Sequence, residues 1–205
     1  RLYASRGPGG FTPNPYDSIG PQMYIVVSSL HQPNESLYER GVKVGFSKVA
    51  VKSGGLAKVK TCNYISNVQM TKEAIDNGYD FVINITDDGY LGEGATENMV
   101  FLTQENDLIF SSFDHTLRGT TLLRLQELSG ELVNLGLIRE MKESKQKTAQ
   151  LMEAKEAFMI GTSLNALPIS EVAGKPVGDG KPGKVAIAAR SLLLQDQKVG
   201  GHRLI

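Results

Sequence analysis

Apolar and polar positions change period repeatedly along this chain. LYAS at residues 2–5 and MYIVVSSL at residues 23–30 carry the aromatic and β-branched content of strands. The stretch between them, GPGGFTPNPYDSIGPQ, is too rich in Gly and Pro for regular structure. A loop of that length either walls a pocket or is a solvated connector. From Gly41 short β-rich segments follow, VKVGFSKVAV and then LAKVK, so Lys60 falls on a strand that runs into a helix. Asn63 caps that helix, which extends to about Asp76 with Val68, Ala74 and Ile75 on its apolar side. Asn77-Gly78 supplies a left-handed stop.

YDFVINIT then reads as a strand, Asp88-Gly89 as a tight turn, and ENMVFLT as the answering strand of a hairpin, with NDLIF after it. Gly119 and Thr120 open a helix on which Leu122, Leu125 and Leu132 recur at helical spacing, and Gly136 closes it. LIREMKES and EAFMIGT are strands on either side of a short helix, KQKTAQLMEA. ALPISEVAGKPV is a further hairpin, and GKVAIAARSLLLQDQK is a terminal amphipathic helix. Hairpins mixed with helices, without regular strand–helix alternation, give an α+β class. The composition shift near Gly41 places a domain boundary there: residues 1–40 belong to one domain and 41–205 to a larger one.

With 40% hydrophobic residues in 205, the chain can bury a sizeable core. Lys plus Arg and Asp plus Glu both number 22, so no net charge recruits nucleic acid or an acidic membrane surface. No apolar run reaches the length of a membrane span and no signal peptide is present. The single cysteine, Cys62, rules out an internal disulfide framework and points to a reducing, cytoplasmic compartment. Cys62 reads as small packing volume under a bound cofactor or in the core rather than as a nucleophile. His31, His115 and His202 lack metal-ligand spacing, so no metal is expected.

Chemistry concentrates between Val59 and Asn98. Lys58 and Lys60, two apart on a strand, point to one face, and either amine is placed to attack a carbonyl. Glu93 follows in a Gly-flanked turn. An amine that makes a Schiff base and a carboxylate that keeps a pyridine nitrogen protonated are the two anchors of a pyridoxal phosphate cofactor. Backbone N–H groups and hydroxyls at Gly119-Thr120-Thr121, a helix start, form an anion site.

VKTCNYISNVQMTKEAIDNGYD followed by DDGYLGEGATENMVFL resembles the fold type IV pyridoxal phosphate enzymes, the class IV aminotransferase family. That family includes branched-chain and D-amino acid aminotransferases and 4-amino-4-deoxychorismate lyases, and the resemblance extends from about Ser5 to Gly183. It implies a fold type IV enzyme in which Lys60 holds the cofactor and acts as the catalytic amine, Glu93 meets the pyridine nitrogen, and Tyr64 meets the ring oxygen. Thr120 and Thr121, from a motif that in the family reads Gly-Ile-Thr-Arg, would hold the phosphate, with Thr162 and Ser163 from Gly161-Thr162-Ser163. Thr120 replaces the motif's isoleucine and Leu122 its arginine, and the family's phosphate-binding arginine would lie upstream of Arg1. Arg1 falls about where branched-chain enzymes bind a substrate carboxylate. Arg6, in the SRGPGGF turn common to the lyase-like branch, serves either substrate or the turn itself. The implied activity is amino transfer between a small amino acid and a 2-oxo acid, in a homodimer. Lyase activity on the same two anchors is the alternative, and a non-catalytic homologue the one after it.

Overall fold

The computed structural model describes residues 1–52 and 54–200; His202 lies outside them. The chain divides between His31 and Gln32 into two compact units. In the first, β1 (Leu2–Ser5) and β2 (Gln22–Ile25) pair antiparallel. The register sets Tyr3 opposite Tyr24, whose rings stack at 4.9 Å. The second strand is shorter than its apolar run, since the ladder ends at Ile25 with Val26 N–H donating to Arg1 O. The Gly- and Pro-rich stretch holds one 3-10 turn, Pro15–Asp17, begun by Asn14, whose side chain accepts from Tyr16 N–H at 3.1 Å.

The second unit opens with α1 (Glu35–Arg40), capped by the Asn34 side chain, which accepts from Ser36 N–H. The break between units therefore precedes α1 and lies ahead of the composition shift near Gly41. The helix belongs to the second unit because Tyr38 donates to Leu164 O at 2.9 Å and Arg190 pairs with Glu35. Next come β3 (Val42–Ser47), α2 (Ile65–Asp76), β4 (Phe81–Asn84), β5 (Asn98–Leu102) and β6 (Asp107–Ser111). They are followed by α3 (Thr120–Asn134), β7 (Glu140–Ser144), α4 (Thr148–Met152) and β8 (Glu156–Gly161). β9 (Asn165–Val172), β10 (Lys175–Pro176) and α5 (Lys184–Val199) complete the unit.

β3 to β10 form one mixed sheet in the order β4-β3-β9-β8-β5-β6-β7, with β10 paired to β9. β3 runs parallel to β4 and β9, and β6 parallel to β7; β5, β8 and β9 supply the antiparallel centre. The central strands are buried on both faces, and the pleat shows how. Met99, Phe101, Ala157, Met159, Leu167 and Ile169 point into one core, while Val100, Leu102, Phe158, Ile160 and Ala166 point into another. Onto the second core pack Leu122, Leu125 and Leu132 of α3 and Val185, Ala186, Ala189 and Leu193 of α5, the helical spacing legible in the sequence. α+β is the observed class. Among the described residues no helix is long and apolar enough to cross a membrane.

Several local expectations are corrected. LAKVK is not a strand: Gly54–Lys58 is 3-10 helix and Lys60 lies in the turn after it, so Lys58 and Lys60 share no strand face. α2 begins from Tyr64 rather than Asn63 and has no side-chain cap. On it Val68 and Ile75 are exposed, at 62% and 73%, while Met70 and Ala74 are buried against Val82. The turn at Asp88-Gly89 forms, with Gly89 at φ 85° and its N–H on Thr86 O, but it joins only the Ile85–Leu91 bridge. β4 pairs parallel with β3 and β5 pairs with β6 and β8, so no β4–β5 hairpin exists. Cys62 is exposed and packs no core.

Candidate active site

The parallel β3–β4 pair ends at Asn84, and this buried amide shapes the turn beyond it. Asn84 N–H donates to Glu93 O at 3.1 Å, Asn84 Oδ1 accepts from Glu93 N–H at 2.9 Å, and Gly92 N–H returns to Asn84 O at 2.9 Å. A Cβ on Gly92 would strike Asn84 Oδ1, so glycine is required for the close approach. Glu93 thereby lines a cavity of about 220 Å³, together with residues of α2, the segment before α3 and the end of β8.

Its carboxylate is well fixed. Oε2 accepts from Leu117 N–H at 2.9 Å and from Asn98 Nδ2 at 3.2 Å. Burial pushes the carboxyl up from an ordinary 4.5 to about 7. The Leu117 N–H and the charges of Lys52 and Lys60 oppose that rise, and Glu97 adds to it.

Lys60 lies exposed at the cavity wall, where the Thr61 N–H to Val59 O bond tightens the turn, and its Nζ donates to the Tyr64 hydroxyl at 3.2 Å. The start of α3 also lines the cavity. Gly119 is its N-cap and offers no side chain to the first N–H groups, which have no intrahelical acceptor. Those donors, the Thr120 and Thr121 side chains and Thr162 beyond β8 all line the cavity. A helix N-terminus with hydroxyls suits a phosphate dianion, an amine suits an aldehyde, and a buried carboxylate suits a protonated ring nitrogen. The donor set fits pyridoxal phosphate.

Of the residues singled out by sequence, Lys60, Tyr64, Glu93, Thr120, Thr121 and Thr162 thus share one cavity, and Ser163 lies just beyond its lining. Lys58 does not line it, which separates the two candidate amines. Arg1 and Arg6 belong to the first unit, where Arg6 donates through Nη2 to Pro15 O across the Gly- and Pro-rich stretch. Leu122, at 1% exposure, is a core residue that also lines the cavity. The sequence did not single out Lys52, Asn67 or Asn98, all of which line the cavity. Asn98, at the end of YLGEGATEN, was reachable, because an asparagine that opens a fully apolar strand is a buried polar group in need of partners.

This fold and cavity define a class of cofactor enzyme, and residues 1–172 match the family model of class IV amino-transferases. The chain belongs to the class IV aminotransferase family, whose members use pyridoxal phosphate. Within it the chain is similar to the chloroplastic D-amino-acid transaminase of Arabidopsis thaliana, 31% identical over 201 residues, which are 98% of this chain and 53% of that protein. It is 34% identical over 137 residues to the branched-chain-amino-acid aminotransferase of Escherichia coli K12, covering 66% of this chain and 40% of that one. The crystal structure of the E. coli branched-chain enzyme superposes with a TM-score of 0.76 at 25% identity, over 97% of this chain and 64% of that one. A second branched-chain amino acid aminotransferase, solved with pyridoxamine 5'-phosphate, superposes with a TM-score of 0.81 at 23% identity, over 95% and 63%, a likeness of fold. The matched region spans between 38% and 53% of the length of curated relatives such as these.

Proposed function

We propose that the chain acts as a pyridoxal phosphate-dependent aminotransferase, moving an amino group between a small amino acid and a 2-oxo acid, with the second unit as its cofactor-binding domain. The observation that carries this is the single cavity joining the Lys60 amine, the Glu93 carboxylate and the N-terminus of α3. Pyridoxal phosphate, when bound, supplies an electron sink for the charge left when the α-carbon loses its proton.

The chain's residues do the rest. Lys60 Nζ would hold the cofactor and would serve as the base that moves the proton at the substrate's α-carbon. The Tyr64 hydroxyl, already 3.2 Å from that nitrogen, keeps it directed into the cavity. Glu93, its carboxylate steadied by Leu117 N–H and Asn98, would hold a proton at the ring nitrogen. Thr120, Thr121, Thr162 and Ser163, with the first N–H groups of α3, hold the phosphate. Substrate contacts from Arg1 and Arg6 belong to the same proposal. So do homodimerisation, which rests on the family resemblance, and a cytoplasmic setting, which rests on the lone cysteine. The lyase alternative needs the same Lys60 and Glu93; the transaminase names of the relatives favour amino transfer.

The test is the absorbance spectrum of the purified protein with pyridoxal phosphate, before and after adding D-alanine, L-leucine or L-glutamate. A visible band that one amino acid abolishes supports transfer and names the substrate class. A band indifferent to all three, with pyruvate released from 4-amino-4-deoxychorismate, replaces transfer by the lyase reaction. No band at all leaves a non-catalytic homologue.

A further inference from the structure

Lys52 is a second ammonium in the cavity, and the aminotransferase chemistry above gives it no work. It is half-buried, in the segment between β3 and the Gly54–Lys58 turn, and two contacts fix it. Its Nζ donates to Asn67 Oδ1 at 2.8 Å and sits 5.6 Å from the centre of the Tyr64 ring. Asn67 is itself tied down, since its Nδ2 donates to Ala95 O, in the same turn that carries Glu93. The Lys60 nitrogen lies 6.0 Å from the centre of that Tyr64 ring. One aromatic ring therefore attracts two ammonium groups, one anchored through Asn67 to the Glu93 turn and one bonded to the Tyr64 hydroxyl.

A lysine whose three donors are partly committed to an amide, in a cavity it helps to wall, is not arranged as a free nucleophile. It is arranged as a fixed positive charge. Such a charge stabilises an ionised carboxylate, the useful direction at Glu93. Lys52 stands first among the charges that hold Glu93 down, ahead of Lys60. The other charged or titratable groups of the cavity are Lys60, Tyr64, Glu97 and Arg118. Glu97 is engaged with the Thr96 N–H and hydroxyl, and Arg118 lies 5.1 Å from the centre of the Phe113 ring.

We propose that Lys52 is a positioning residue of this site, held by Asn67 as a fixed positive charge that favours the Glu93 carboxylate and does not itself take the cofactor. The assignment rests on the function proposed above and adds to it a reason for the second lysine. It also gives Asn67 a role as the clamp that sets where the charge stands.

The experiment compares wild type with Lys52→Met, Lys52→Arg and Asn67→Ala in the full chain. Pyridoxal phosphate is added across a pH series, fixed by borohydride reduction and located by peptide mass spectrometry. In wild type the label falls on Lys60. In Lys52→Met it still falls on Lys60, but carbon NMR of the cofactor-free protein shows the Glu93 carboxyl titrating at higher pH than in wild type, and Lys52→Arg restores it. Asn67→Ala, which keeps the charge and frees it, gives a smaller upward move.

Label on Lys52 overturns the proposal, as does a folded Lys52→Met variant with the wild-type profile. If wild type takes no label anywhere, the aminotransferase function falls by itself. The cofactor-free protein then decides: carbon NMR of the Glu93 carboxyl shows its titration moving up in Lys52→Met if the proposal holds, and unmoved if it does not.

Discussion

Asn98 Nδ2 donates to Glu93 Oε2 at 3.2 Å while also donating to Leu117 O at 2.9 Å. One amide at the start of β5 thus joins the Glu93 turn to the segment that leads into α3, the two places proposed to hold the cofactor's ring and phosphate. Its oxygen faces Gly119 so closely that a Cβ there would strike it. Asparagine at 98 and glycine at 119 are complementary choices.

Gly119→Ala should therefore damage the ring end of the site through Asn98, not only the helix start. Losing one hydrogen bond to a charged group is worth about 1.5–3 kcal/mol, which is about tenfold or more in affinity. Asn98→Ala should weaken pyridoxal phosphate binding by about tenfold, and Gly119→Ala by at least as much, measured by titration of the protein's fluorescence. Wild-type affinity in both variants would mean that this amide does not organise the site.

Lys60 and Tyr64 separate by kind of effect. Lys60→Ala should abolish the visible cofactor band and amino transfer together, because Lys52 is committed to Asn67 and Lys58 lies outside the cavity lining. Tyr64→Phe removes only the acceptor 3.2 Å from Lys60 Nζ. It should keep the band and lower kcat about tenfold, the cost of one hydrogen bond to a charged group. Loss of the band in Tyr64→Phe would show that the hydroxyl is needed to hold the lysine at all.

Much of this site was legible because it sits at punctuated positions. Glu93 lies between two glycines, Thr120 and Thr121 open a strongly periodic helix, and Lys60 precedes the Asn-Tyr that starts another. What sequence could not supply was partnership. β4 and β5 flank a genuine turn, yet each pairs elsewhere, because pairing in a mixed sheet is set by long-range packing on both faces rather than by the turn between neighbours. Val68 and Ile75 fit an apolar stripe, but α2 meets the sheet through Met70 and Ala74, a rotation that local periodicity does not fix. Lys52 and Asn67, fifteen residues apart, gain meaning only from the contact between them.

The same rotation of α2 makes a stability prediction. Leu125 is fully buried between α3 and the sheet, whereas Val68 stands in solvent. Leu125→Ala should cost about 2–5 kcal/mol and lower Tm by on the order of 10 °C. Val68→Ala should stay within about 0.5 kcal/mol of wild type. A large loss in Val68→Ala, measured by thermal unfolding, would place the helix's apolar side where the periodicity alone put it.

Glu93 should make the cofactor-free protein less stable as pH rises, the reverse of an ordinary paired carboxylate. Its folded carboxyl sits at about 7, above the 4.5 usual for an unfolded glutamate. Below about pH 4.5 both states hold the proton and Glu93 contributes nothing to the pH dependence. Between about 4.5 and 7 the unfolded chain releases the proton while the folded chain keeps it, so stability falls; above 7 both are ionised and the loss is constant. Glu93→Gln keeps an acceptor for Leu117 N–H and never ionises. Its stability advantage over wild type, read from thermal unfolding, should be near zero at pH 4.5, grow to pH 7 and level off, reaching on the order of 1–3 kcal/mol after allowance for solvent screening at a half-buried group. Other carboxyls titrate alike in both proteins and cancel in the difference. Saturating pyridoxal phosphate should reverse the order at pH 8, because a protonated ring nitrogen favours a carboxylate over an amide. An advantage that stays flat from pH 4.5 to 8 would show that burial does not raise this carboxyl. One that survives the cofactor unchanged would show that Glu93 does not meet the ring nitrogen.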